Sequence, residues 1–158
     1  MATTIRRAES GDTVSLGALH SAVWTELYSD VLPPATLASL DRATMAELWG
    51  RFITRGDDYV QFVAEVDGKI VGFAGVGPGR EPGYELGREL YFIVVSPLHR
   101  RGGIGKALLK QADVDYLWIA EHNRAAQVFY RKQKFYPDSV RRVGALFGAE
   151  LPEIRMAR

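Results

Sequence analysis

Between Ser96 and Lys110 the sequence reads SPLHRRGGIGKALLK, which gathers Arg100, Arg101 and Lys106 around Gly102, Gly103 and Gly105. Those residue types suit an anion. Glycine lets a ligand approach the backbone closely and takes conformations that other residues avoid. A helix opening directly behind the glycines would add amides with no internal partner and the positive end of its dipole. Together they make a phosphate cradle, which Arg100, Arg101 and Lys106 can supplement. The same composition also describes a solvated glycine-rich loop with a cationic rim of His99, Arg101 and Lys110. The neighbouring elements must separate the two readings.

The run before the loop, Glu89 to Val95 (ELYFIVV), is almost wholly apolar and reads as a buried strand. A helical pattern from Gly103 to Ala112 follows at once, so the loop joins a strand end to a helix start. Upstream, Thr3 to Ala8 reads as a first strand. Ser10 or Asp12 caps a helix with Leu16, Leu19, His20, Val23, Trp24 and Leu27 at helical spacing. A second helix is expected after Pro33-Pro34, with Leu37, Leu40, Leu48, Trp49 and Phe52 on its apolar face. Tyr59–Val66 and Lys69–Val76 form a hairpin across Asp67-Gly68, a pair suited to a tight turn with positive φ. Tyr116–Ala120 is a fifth strand, Asn123 to Lys132 a helix, and Phe135–Val143 with Glu153–Met156 a closing strand pair. The predicted order is β-α-α-β-β-β-α-β-α-β-β, an α+β or mixed α/β class in a single domain spanning residues 1–158.

Composition narrows the function classes. The chain has 158 residues, 47% hydrophobic and 25% charged, with a formal net charge of +1. No global field announces a nucleic-acid or membrane partner, so anion binding must be local. With no cysteine, disulfides, thiolate zinc sites and a cysteine nucleophile are excluded. The N-terminal segment lacks the apolar stretch of a signal peptide, and no run is long enough to span a bilayer. A cytoplasmic location is the default expectation. The three histidines have no metal-ligand spacing, and His20 reads as a satisfied core or rim residue.

Three phosphate-binding patterns compete for the loop. A P-loop fails because Ala107 follows Gly105-Lys106 and Arg100 stands at the first glycine position. The dinucleotide fingerprint fails at Leu108. The pattern [Gln/Arg]-x-x-Gly-x-[Gly/Ala] is met by Arg100, Gly103 and Gly105. It resembles motif A of the GCN5-related N-acetyltransferases (GNAT). A second stretch, YLWIAEHNRAAQVFYRKQKFYPD from Tyr116, is similar to the family's motif B: a fifth strand, an Asn, and a short helix ending in Phe-Tyr-x-x-x-x-Phe. The segments TIRRAESGD and ELPEIRMAR also resemble its bacterial members, so the likeness covers nearly the whole chain.

That resemblance implies a mostly antiparallel twisted sheet of six to seven strands, splayed between strands four and five, with about four flanking helices. It implies acetyl-CoA as co-substrate and direct acetyl transfer to a primary amine of a small molecule or peptide, without a covalent enzyme intermediate. Ile93, Val94 and Val95 would offer backbone groups to the pantetheine arm. The amides of Arg101, Gly102, Gly103, Ile104, Gly105 and Lys106 would bind pyrophosphate, with Arg100 and Asn123 as further contacts. Asn123 equally serves as a helix N-cap. Glu89 is the candidate base, or else a solvated strand-edge residue, with Glu85 as a substitute. Tyr130 is the candidate general acid, or else a core anchor. Trp24, Tyr28 and Asp30 are candidates for the acceptor wall. A homodimer is compatible with the fold.

Two departures from the family pattern carry structural expectations. The third predicted helix is short for the strand it must run back along, which puts the splay and the placing of Asn123 and Tyr130 at risk. It also motivates the alternative of a non-catalytic acyl-CoA-binding or partner-binding module. Lys134 stands where the family usually has Gly before Phe135, so a lysine with positive φ and local strain of about 1 kcal/mol is expected.

Overall fold

The computed structural model describes residues 2–82, 87–146 and 149–158. One sheet of seven strands runs through it in the order β1-β2-β3-β4-β5-β7-β6. The strands are β1 Thr3–Arg7, β2 Val60–Val66, β3 Lys69–Pro78, β4 Arg88–Val95, β5 Tyr116–Ala120, β6 Tyr136–Leu146 and β7 Ala149–Ala157. The helices are α1 Thr13–Tyr28, α2 Pro34–Ser39, α3 Arg42–Ile53, α4 Ile104–Ala112 and α5 Arg124–Lys132. All neighbouring strand pairs are antiparallel except β4 with β5. The α+β expectation holds, with five α-helices where four were expected.

The extra helix comes from a division at Leu40. The apolar positions from Leu37 to Phe52 keep helical spacing, but Asp41 lies between them and acts as an N-cap. Its carboxylate accepts the Thr44 amide at 2.8 Å. This turns one predicted helix into α2 and α3. The Asp67-Gly68 turn forms as expected, with φ of 51° and 75°.

Side chains divide between the two sheet faces. On one face, Leu108, Leu109, Ala112, Tyr130 and Phe135 pack with Phe62, Leu90 and Leu117. On the other, Leu16, Trp49, Val63 and Phe73 pack with Phe92 and Val94. His20 sits in this second layer, 3% exposed, where the Trp49 indole N–H donates to its Nδ1 at 3.1 Å. Burial pushes the His20 pKa down to about 4, so its neutral imidazole is a satisfied core acceptor.

The short α4 closes without disturbing β5. Asp113 takes the left-handed conformation at φ 50° and ends the helix. Arg88 then donates to the Ala112 and Asp113 carbonyls, while its own amide bonds the Asp115 carboxylate at 2.7 Å. The connector is thereby pinned to the first residue of β4, and β5 begins level with Glu89. The observation that motivated a non-catalytic module therefore loses its force.

Candidate active site

The parallel ladder between β4 and β5 consists of Glu89 opposite Tyr116 and Leu90 opposite Leu117. Beyond Leu90 the strands diverge, and the β5-facing edge of β4 has no partner strand among the described residues. The opening is a cleft of about 240 Å³, lined at its centre by Tyr91, Phe92, Ile93, Val94, Trp118 and Ile119. Ile93, Val94 and Val95 remain paired with β3 on their other side. Ile93 and Val94 line the opening, and Val95 is not among its lining residues.

A bulge shapes the apex of this cleft. Gly75 pairs with Phe92 and Val76 with Leu90, so Tyr91 has no partner on β3. Tyr91 and Phe92 consequently project to the same face, where two glycines clear their rings. A Cβ at Gly77 would meet the Tyr91 hydroxyl at 2.5 Å, and one at Gly75 would enter the Phe92 ring. The bulge went unread in the sequence. Its signal was there, because glycines inside a strand mark bulges and close approaches.

Glu89 occupies the same face just behind the apex, fully buried. The Arg80 Nε donates to its Oε2, while Oε1 accepts no hydrogen bond from the described residues. The Arg80 guanidinium also lies 4.4 Å over the Tyr91 ring. Nearby, the Tyr116 hydroxyl accepts the Arg80 amide at 2.9 Å. Burial, and then the Glu89 charge, pushes the Tyr116 pKa up to about 12. The reading of Glu89 as a solvated edge residue is thus corrected: β3 covers one side and the Arg80 turn caps it. Glu85 lies outside the described residues.

Tyr130 reaches the cleft from the opposite face, 3% exposed. Burial raises its pKa well above the usual tyrosine value, so the hydroxyl keeps its proton throughout the neutral range. Asn123 lines the cleft as well, and its side chain accepts the Ala126 amide at 3.1 Å as the α5 N-cap. Capping is the role its carbonyl demonstrably fills.

At the wide end of the cleft, Arg101 has φ 65° and Gly103 φ 85°, and α4 begins at Ile104. A Cβ at Gly103 would meet nothing within 4 Å, whereas one at Gly105 would stand 3.3 Å from the Phe129 ring. The two glycines do different jobs. Gly103 provides the turn, and Gly105 lets α5 pack close to the start of α4. The Arg100 side chain bonds Glu26 at 2.7 Å and the Val95 carbonyl at 3.1 Å. It ties the loop to α1 and β4.

One side of the cleft is walled by α1 and the β6–β7 pair. Trp24, Leu27 and Tyr28 line it together with Gly144, Ala145, Leu151 and Glu153. The Trp24 and Tyr28 rings lie 4.9 Å apart. Asp30 does not join them, being exposed in the turn after α1. Glu81, Arg142 and Glu153, which form ion pairs beside this wall, were missed in the sequence because each partner lies on a different element.

A sheet splayed between two central parallel strands, with a glycine-rich helix start at its mouth, defines the acyl-CoA-type transferase architecture expected above. Residues 57–137 match the acetyltransferase (GNAT) domain family, and the chain belongs to that family. It is similar to an uncharacterized N-acetyltransferase of Bacillus subtilis, 28% identical, over 87% of this chain and 81% of the relative. The solved ribosomal-protein-alanine N-acetyltransferase of Brucella melitensis superposes with a TM-score of 0.71 at 28% identity, covering 98% of each chain. A Thermoplasma acidophilum PaiA N-acetyltransferase, solved with coenzyme A, shares the fold at TM-score 0.75 and 20% identity, covering both chains fully. The chain is an N-acetyltransferase. Among the described residues no helix is long and apolar enough to cross a membrane.

Proposed function

We propose that the protein transfers an acetyl group from acetyl-CoA directly to a primary amine of a small molecule or peptide. The observation that carries this reading is the early end of the β4–β5 ladder, with Tyr130 facing the gap. The residues present fit the donor. The free edge of β4 around Ile93 and Val94 offers main-chain groups to an extended amide-bearing arm, in the manner of strand addition. The amides from Arg101 to Lys106 face the open loop, where Gly103 leaves room for a pyrophosphate. The bound donor would supply an acetyl thioester already activated for attack.

The protein's own groups then handle protons. An alkylammonium with a pKa near 10.4 must lose a proton at pH 7, at a cost of about 4–5 kcal/mol. Glu89 is the acceptor through a proton relay, its buried carboxylate held at Oε2 by Arg80 and lying beside the Tyr116 hydroxyl. Tyr130, kept protonated by burial, donates to the departing sulfur.

Steady-state kinetics of thiol release test these roles. Tyr130→Phe lowers kcat by roughly 10²-fold with acetyl-CoA binding unchanged, and Glu89→Gln lowers it similarly. An unchanged kcat in both variants would remove the assignment.

A further inference from the structure

Glu153 on β7 faces the acceptor end of the cleft, its side chain 18% exposed. Its place depends on a glycine opposite, because a Cβ at Gly144 would collide with its Oε1. Oε1 accepts from Arg142 Nε at 2.9 Å, and among the described residues Oε2 accepts nothing. Tyr28 stands close enough for the Glu153 charge to add to burial in raising its pKa. Glu153 and Tyr28 thus line the same pocket, together with the aromatic rings of Trp24, Phe92 and Trp118.

The neighbouring cation does not cancel this charge. Arg142 gives Nη1 to Glu81 at 3.0 Å as well as Nε to Glu153, and its guanidinium lies 4.1 Å over the Trp118 ring. One guanidinium between two carboxylates leaves the cluster one charge negative. Two of the five guanidinium N–H groups and one face are engaged, and the charge is shared between two carboxylates. Glu81 also adjoins Arg80, which holds Glu89, so a single turn braces both carboxylates of the acceptor face.

We propose that Glu153 and Tyr28 form an ammonium subsite, selecting a primary amine attached to apolar or aromatic carbon and bearing no carboxylate beside it. This rests on the acetyltransferase reading and specifies its acceptor. The aromatic rings favour a cation with a greasy chain. An α-carboxylate would be repelled by Glu153, and the two guanidinium groups beside Trp118, Arg142 and Arg155, are already paired with carboxylates.

The test uses matched pairs, phenethylamine with phenylalanine and isoamylamine with leucine, titrated into the protein with and without saturating coenzyme A. Wild type should bind each decarboxylated amine at least tenfold more tightly than its amino acid. Glu153→Gln should cut that preference about tenfold, a charge-assisted hydrogen bond being lost. Tyr28→Phe, which leaves every ion pair intact, should weaken the amine without favouring the amino acid. Equal or better binding of the amino acids by wild type, or an unaltered preference in folded Glu153→Gln, would overturn the subsite. Failure of coenzyme A to bind would instead count against the acetyltransferase reading, since amine binding is also read without it.

Discussion

Tyr130 and His20 are both buried on helices packed against the sheet, yet their surroundings set them to different tasks. Tyr130 lines the cleft, and burial keeps its hydroxyl protonated. His20 turns its Nδ1 to Trp49 inside the core, and burial keeps it neutral, with a pKa of about 4. The second case has a thermodynamic consequence. In the unfolded chain the imidazole takes up a proton below about pH 6.5, while the folded chain resists until about pH 4. Stability is therefore full above the unfolded pKa and falls as pH drops through that window. Between pH 7 and pH 5 His20 alone should cost about 2 kcal/mol. Urea unfolding at both pH values, compared with His20→Gln, checks this. A variant with the same pH dependence as wild type would show that His20 does not supply it.

At the scale of elements, the decisive features are where strands stop pairing and where helices stop. Lys134 ends the segment after α5 at φ 70°, the left-handed conformation expected where the family usually carries Gly. Lys134→Gly should raise stability by about 1 kcal/mol, read as an increase in Tm, with no change in turnover. A lower Tm would mean the lysine stem contributes more than its backbone costs. This position was legible in the sequence, as were the loop at Arg100–Lys106 and the Asp67-Gly68 hairpin, because each is a local signal. The α2–α3 division was missed through a single N-cap, Asp41, set inside a continuous apolar pattern. The Tyr91 bulge was missed because it is a matter of register between two strands, for which the β3 glycines are only indirect markers. The ion pairs that fix Glu89 and Glu153 join residues on different elements, 9 and 11 positions apart, and the Glu81–Arg142 pair that links them spans 61. No spacing within one segment reveals them, nor the Arg100–Glu26 pair, whose acidic partner lies on α1.

For the whole molecule, the sheet divides the chemistry between its faces. Helices α4 and α5 bring the glycine-rich helix start and Tyr130 to the donor side, while α1 and the β6–β7 pair enclose the acceptor side. The two meet only where β4 and β5 part. The short α4 leaves this geometry intact because Arg88 and Asp115 close its connector. Donor binding at the helix start is thus the step on which the remaining chemistry depends. Isothermal titration with acetyl-CoA, on the intact protein and on Gly103→Glu/Gly105→Glu, tests it most directly. The predicted result is binding in the micromolar range by the intact protein and its loss in a variant that remains folded. No binding by the intact protein, or equal binding by the variant, would contradict the placing of the donor on this loop.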